Sequence, residues 1–206
     1  MQSENTFSYL LGKYAEDIKK ADSNLSVTDT QKKILINIAR NTLNTYLTKG
    51  IIPDIIIDDP IFSEPRATFV TLRNRETNEL RGCKGEIFPT KPLFKSVQQT
   101  AISAALNDPR FPEVNPEELN TLRIEISILL PISAIKPEDI ILGLHGLIIA
   151  RGDNTALFLP HVPIIYKMDK EKYLSELCNK AGLSEEALND ENTALYGFRA
   201  LVLEED

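Results

Sequence analysis

Leu122, Ile124, Ile126, Ile128 and Leu130 alternate with Arg123, Glu125 and Ser127. This period of two predicts a β-strand with one face buried and the other solvated. Upstream, "ATFVTLR" (67–73) is β-prone, the polar "NRETNE" turns the chain, and "LRGCKG" (80–85) runs back as a second strand, making a hairpin. Phe94, Val97, Ala101, Ala104 and Ala105 recur at helical spacing from near Leu93. That helix should break at Asp108-Pro109, because a residue before proline is pushed out of the helical region. The expected unit is one antiparallel sheet of three strands covered by this helix.

The second half repeats that order without repeating its residues. "GLIIARG", a turn at Gly152-Asp153-Asn154, "TALFLP", a helix from about Asp169 and a final strand "LYGFRALVL" again read strand, strand, helix, strand. Tyr173, Leu174, Leu177, Cys178 and Ala181 form the apolar face of the later helix, and Gly182 followed by Leu183 fits a left-handed C-cap with its hydrophobic contact. At the start of the chain Phe7, Leu10, Leu11, Tyr14 and Ile18 outline one amphipathic helix. Thr28 with Gln31 reads as a capping box opening a second, whose stripe is Leu35, Ile38, Ala39, Thr42, Leu43 and Tyr46 and which should stop near Gly50. Residues 51–63, rich in isoleucine but cut by Pro53 and Pro60, suit an extended connector with room for a short edge strand. The expected class is therefore α+β, two lobes of ββαβ order with antiparallel sheets. Lobe one spans about 51–130. Lobe two spans about 131–206, with the helices of 1–50 packed on the outside. No flexible linker parts the halves, which favours a fixed inter-lobe cleft over a hinge.

Composition narrows the setting. A chain of 206 residues with 42% hydrophobic content can bury roughly 70% of its unfolded surface, so it needs neither disulfides nor metal for stability. Two cysteines without framework spacing point to a reducing compartment. The first residues carry Glu4, Glu16 and Asp17 without a continuous apolar core, and no window approaches a membrane span. A cytoplasmic protein without signal peptide or membrane association is expected. The net charge of −7 argues against non-specific nucleic-acid binding, yet residues 66–95 hold seven Arg or Lys against three Glu. That window is either a solvated hairpin or an anion-attracting cleft.

The basic window centres on Leu80-Arg81-Gly82-Cys83-Lys84-Gly85. Glycines inside a strand mark a close approach of another backbone or a ligand. In strict alternation Arg81, Cys83 and Gly85 share one face, while Gly82 and Lys84 share the other. Cys83 reads either as a nucleophile favoured by the charges of Arg81 or Lys84, or as a small residue packed beside glycine. Arg81 reads either as a planar clamp for carboxylate or phosphate, or as the partner of a glutamate. Arg110 and Phe111 either close over the hexapeptide or anchor a loop by its aromatic. Cys178, in a helix's apolar stripe, has a core role. His145 and His161 with Cys83 offer metal-ligand types but no spaced ligand motif, so no metal site is assigned. Without a Walker loop, dinucleotide fingerprint, HExxH or CxxC, no cofactor is expected.

"LRGCKG" resembles the LRGCIG-type hexapeptide of the AMMECR proteins, whose prokaryotic members are called AmmeMemoRadiSam system protein A. The resemblance runs on through "NDPRFPEVNPEELNTLRIEIS", "GLHGLIIARGDNTALFLPHVP", "YLSELCNKAGL" and "YGFRALVLEE", roughly residues 30–205. Lys84 stands where an aliphatic residue is usual. The resemblance implies a cytoplasmic two-lobed α+β protein with a cleft lined by the hexapeptide, and a functional association with Memo-like and radical S-adenosylmethionine proteins. It names no reaction, and neither do the residues. Two functions follow as expectations. In one, a cleft binds a small anionic ligand and has the means to modify it, with Cys83 reactive and Arg81, Gly82, Lys84, Gly85 and Arg110 holding the ligand. The alternative is a non-catalytic adaptor whose basic hairpin docks a protein or RNA partner.

Overall fold

The computed structural model describes residues 7–17 and 25–206 and contains two compact units. One comprises residues 26–129 and 201–206; the other comprises residues 130–200 together with the first helix.

In the first unit, β1 (Thr68–Asn74) and β2 (Leu80–Gly85) form the expected hairpin, and β3 (Leu122–Leu129) pairs antiparallel with β1 on its other side. α4 (Leu93–Leu106) covers β1 and β2, seating Leu93, Val97, Ala101 and Ala104 at 0–1% exposure against Val70 and Leu72. The sheet and its helix therefore follow from the two periods. β8 (Ala200–Glu204) completes the sheet in the order β2-β1-β3-β8.

α2 (Asp29–Lys49) lies beside α4 and against β3. Its capping box is formed as expected, with Thr28 Oγ1 accepting from Gln31 N at 3.2 Å and Gln31 Oε1 accepting from Thr28 N at 2.9 Å. Arg40 ties the helix to the sheet, donating to the carbonyls of Leu119 and Leu122 and pairing with Glu205. The expected boundaries need correction here. α2 and the last residues belong to the first sheet's unit and not to lobe two, because their buried side chains and Arg40 find their partners there. The connector carries no edge strand either. It ends in a one-turn helix α3 (Pro60–Ser63) started by Asp59 and Pro60, and buries Phe62 completely.

The second unit holds the sheet β4-β7-β5-β6, from β4 (Ser133–Ala134), β5 (Gly146–Arg151), β6 (Asn154–Phe158) and β7 (Ala194–Phe198). α6 (Lys170–Lys180) packs Tyr173, Leu177 and Cys178 on Leu147 and Ile149. It is capped by Asp169 at the start, and Gly182 follows its end with φ 70°. α5 (Val162–Ile165) is a single turn. α1 (Phe7–Asp17) contacts β4, β5 and β6, with Leu11 and Ala15 buried. Ile18 lies outside the described residues, and so does the side chain of Leu10.

The terminal run expected as one strand is two. β7 ends at Phe198 within the second sheet, and β8 starts at Ala200 within the first. The strand of 122–129 also departs from its half-buried reading. Its apolar face is buried, but Glu125 and Ser127 are only 8% and 1% exposed.

Candidate functional site

The hexapeptide is the edge strand β2. Its register with β1 shifts between Leu72 and Arg73, where Gly82 and Leu80 are the partners and Arg81 is left as the extra residue of a bulge. Bulges re-aim side chains. Arg81 leaves the face assigned to it by alternation and reaches the 112–118 segment, where Nε and Nη2 meet Glu118 at 2.5 and 3.0 Å and Nη1 donates to the Pro112 carbonyl at 2.9 Å. Both edges of its fork are engaged, so the ion-pair alternative describes Arg81 and the anion clamp does not.

Packing accounts for both glycines. A Cβ on Gly82 would stand 2.2 Å from the Ala104 carbonyl oxygen of α4, and one on Gly85 would stand 2.1 Å from the Phe69 ring. Gly82 brings helix and strand into contact, and Gly85 makes room for the aromatic of its cross-strand partner. Lys84 pairs with Val70, in the row on the face opposite Cys83.

Across β2, β1 and β3 the other face carries a polar row. Thr71 stands opposite Cys83 on one side and Glu125 on the other, and Phe69 stands likewise between Gly85 and Ser127. The Thr71 hydroxyl donates to Cys83 Sγ at 3.4 Å. Arg73 Nε lies 3.9 Å from Glu125 Oε2, while Glu125 Oε1 and Ser127 Oγ are buried without a hydrogen-bond partner. Each such oxygen costs about 1–3 kcal/mol when it is left alone. Two of them, two residues apart on one strand, make a concentrated demand for hydrogen-bond donors.

At the strand's outer edge Asp108 Oδ2 accepts from Cys83 N at 2.8 Å, and Arg110 chelates the same carboxylate through Nε and Nη2 at 2.9 and 2.7 Å. Arg110 also lies over the Phe111 ring. Paired with Asp108, it serves to hold this edge rather than to hold a ligand. The guanidinium, with the Cys83 and Arg110 amides, brings the Asp108 pKa down to about 2 against the cost of burial.

Burial pushes the Cys83 thiol above its ordinary pKa. The Thr71 hydrogen bond and Arg110 oppose the shift, while Asp108 and Glu125 add to it. The expected depression by Arg81 and Lys84 is thus corrected: Arg81's charge is spent on Glu118, and Lys84 is on the other face. At neutral pH Cys83 is a thiol, not a thiolate. Cys178 is fully buried in the α6 core, and burial raises its thiol as well.

The basic window is largely neutralised in space. Arg66, Arg73, Arg75, Arg81 and Lys91 pair with Glu64, Glu125, Glu205, Glu118 and Glu86. His145 Nδ1 accepts from Ile141 N within its own turn, and among the described residues no group of three or more His, Cys, Asp or Glu could hold a metal. None of the described helices is long and apolar enough to cross a membrane.

Sequence reasoning missed Glu118, Asp108, Thr71, Glu125 and Ser127 as members of this site. The only local signals were the Asp-Pro-Arg spacing and the polar positions of the alternating strand, which by themselves indicate a helix stop and a solvated face.

The AMMECR1 family model matches residues 36–203. A protein of Methanocaldococcus jannaschii is 40% identical over 179 residues, which is 82% of this chain and 88% of that one. One from Pyrococcus furiosus is 37% identical, over 87% of this chain and 90% of its own. The crystal structure of an uncharacterized protein from Pyrococcus horikoshii superposes with a TM-score of 0.84 at 36% identity, covering 87% of this chain and 94% of that one.

Proposed function

The chain belongs to the AMMECR1 family, and from that premise we propose that the polar face around Cys83 binds a small amine-bearing ligand. The observation that carries this reading is the pair of buried, unpartnered acceptors on one face of β3, Glu125 Oε1 across Thr71 from Cys83 and Ser127 Oγ across Phe69 from Gly85. A protonated amine supplies the donors these oxygens need, beyond the one cation, Arg73, that stands 3.9 Å from the other carboxylate oxygen. The small-ligand function expected from the hexapeptide is kept, but the ligand's charge is reversed, since Arg81 and most of the hairpin's cations are already paired. The same pairs leave a basic docking hairpin little charge to work with.

Cys83 enters as a neutral thiol. A cation held at Glu125 would offset that carboxylate's effect on the thiol and favour the thiolate, so any reactivity of Cys83 belongs to the ligand-bound state. The test is a thermal-shift panel of amino acids, amino alcohols and polyamines against phosphate, sulfate and simple carboxylates. At a hundredfold excess over Kd a ligand adds about 2.7 kcal/mol, or about 5–10 °C for a chain of this size. Amines should give that shift, and Glu125→Gln should abolish it. Stabilisation by the anions alone, or by nothing in the panel, refutes the reading.

A further inference from the structure

A second surface belongs to the unit built on β5 and β6 and draws on none of the residues around Cys83. Ile141 and Leu144 sit on a tight turn closed by Leu144 N and His145 N donating to the Ile141 carbonyl, and by Ile141 N donating to His145 Nδ1. Next to it the one-turn α5 runs into a second tight turn, with Lys167 at φ 50° and Met168 N donating to the Pro163 carbonyl. The two turns touch, since a Cβ on Gly143 would come within 3.2 Å of Ile164.

Only Pro163 of α5 is buried. Its neighbours face outward: Ile164, Ile165 and Tyr166 are 58%, 52% and 64% exposed, beside Ile141 at 55% and Leu144 at 42%. Three consecutive large apolar residues on an exposed turn do nothing for this unit's core. Contiguous apolar surface of this kind marks an interaction site.

We propose that Ile141, Leu144, Ile164, Ile165 and Tyr166 form a two-fold interface between two copies of this chain. The occupant follows from area and charge. At those exposures the five residues present about 500 Å² per copy, so pairing two such patches removes up to about 1,000 Å² from water, the least a specific interface needs.

The patch itself carries no charged side chain. Its chain neighbours carry both signs, Glu138 and Asp139 before Ile140 and Lys167 after Tyr166, so no single sign of charge borders it. At a net charge of −7 two copies repel elsewhere, which leaves an uncharged patch as the surface on which they can meet.

Sedimentation equilibrium of the full chain tests the proposal. The wild type should show a concentration-dependent mass rising toward twice 23.1 kDa. The association should tighten with added salt, because screening reduces net repulsion while leaving apolar contact intact. Tyr166→Lys and Ile164→Asp, both at exposed positions, should each weaken it at least about tenfold with an unchanged circular dichroism spectrum. In the wild type, a short amine-reactive cross-linker should join Lys167 to Lys167 between copies, a readout that needs no variant to fold. A wild type that stays monomeric at concentrations on the order of 100 μM overturns the proposal, as does a dimer indifferent to both substitutions or one that salt dissociates. Monomeric protein whose patch instead captures a different chain overturns it too.

Discussion

Replacing Gly82 by alanine separates two accounts of the hexapeptide, one in which the glycine keeps a path open for a ligand and one in which it brings strand and helix together. The added Cβ would lie 2.2 Å from the Ala104 carbonyl oxygen and 3.2 Å from its carbon. Ordinary contact begins near 3.4 Å, so β2 and α4 would have to part by about 1 Å. The obstacle is helix backbone, and Leu93, Val97, Ala101 and Ala104 fix that helix with almost no exposure. Overpacking of a tight core costs about 1–3 kcal/mol, and a clash with backbone belongs at the upper end. For 206 residues, about 3 kcal/mol is a fall in Tm of about 6–12 °C.

Gly85→Ala is the internal control. Its obstacle is the Phe69 ring, a half-buried side chain on a strand whose partner here is exposed. Phe69 has to change χ1 to carry its Cγ clear, but a half-buried side chain can leave its rotamer where helix backbone cannot move, so the loss should be the smaller of the two. Urea and thermal unfolding of the two variants and the wild type give the comparison. Equal stability of Gly82→Ala and wild type, or a larger loss for Gly85→Ala, refutes the packing account and returns the glycines to a ligand.

The remaining predictions concern the charges and the thiol. Arg81→Ala and Glu118→Gln should each destabilise the first unit by about 1–3 kcal/mol, with a coupling of at least about 1 kcal/mol in the double-mutant cycle under urea; additive effects would mean the pair is idle. Asp108 titrates at about 2 in the folded state, below its unfolded value of 3.8. Its contribution is therefore complete above pH 4 and lost as pH falls toward 2, on the order of 1–2 kcal/mol after allowing for the exposure of Arg110; Asp108→Asn should flatten stability across that window. Glu125→Gln removes a carboxylate that disfavours the Cys83 thiolate, so iodoacetamide should label Cys83 faster at a given alkaline pH than in the wild type, whose labelling should be slow at pH 7; a slower variant would reverse the sign of that interaction. Ser127→Ala deletes a buried hydroxyl without a partner, so denaturant melts should find the protein no less stable while the amine response shrinks.

Much of the fold was written locally. Alternation at Leu122–Ile128, helical spacing from Leu93 and again from Asp169, the Thr28–Gln31 box and the proline after Asp108 each depend on residues a few positions apart, so the α+β class and the ββαβ order of both halves could be read without coordinates. Pairing partners could not. "LYGFRALVL" is a continuous β pattern, yet Leu195–Phe198 joins one sheet and Ala200–Leu203 the other, because a strand's period specifies its faces and not its neighbour.

The close approach at the hexapeptide was legible, and what makes it was not. Two glycines flanking Cys83 pointed correctly to a close approach, but the approaching atoms are Ala104 and Phe69. Alternation put Arg81 beside Cys83, and one bulge removed it to Glu118, 37 residues away. A basic window in the chain became nearly neutral in space, since its acidic partners come largely from outside it. Polar spacing in β3 implied a wet face, whereas Glu125 and Ser127 are buried. Local sequence sets the direction in which a side chain points. What it meets there, and hence its charge, solvation and chemistry, depends on segments that only folding brings together.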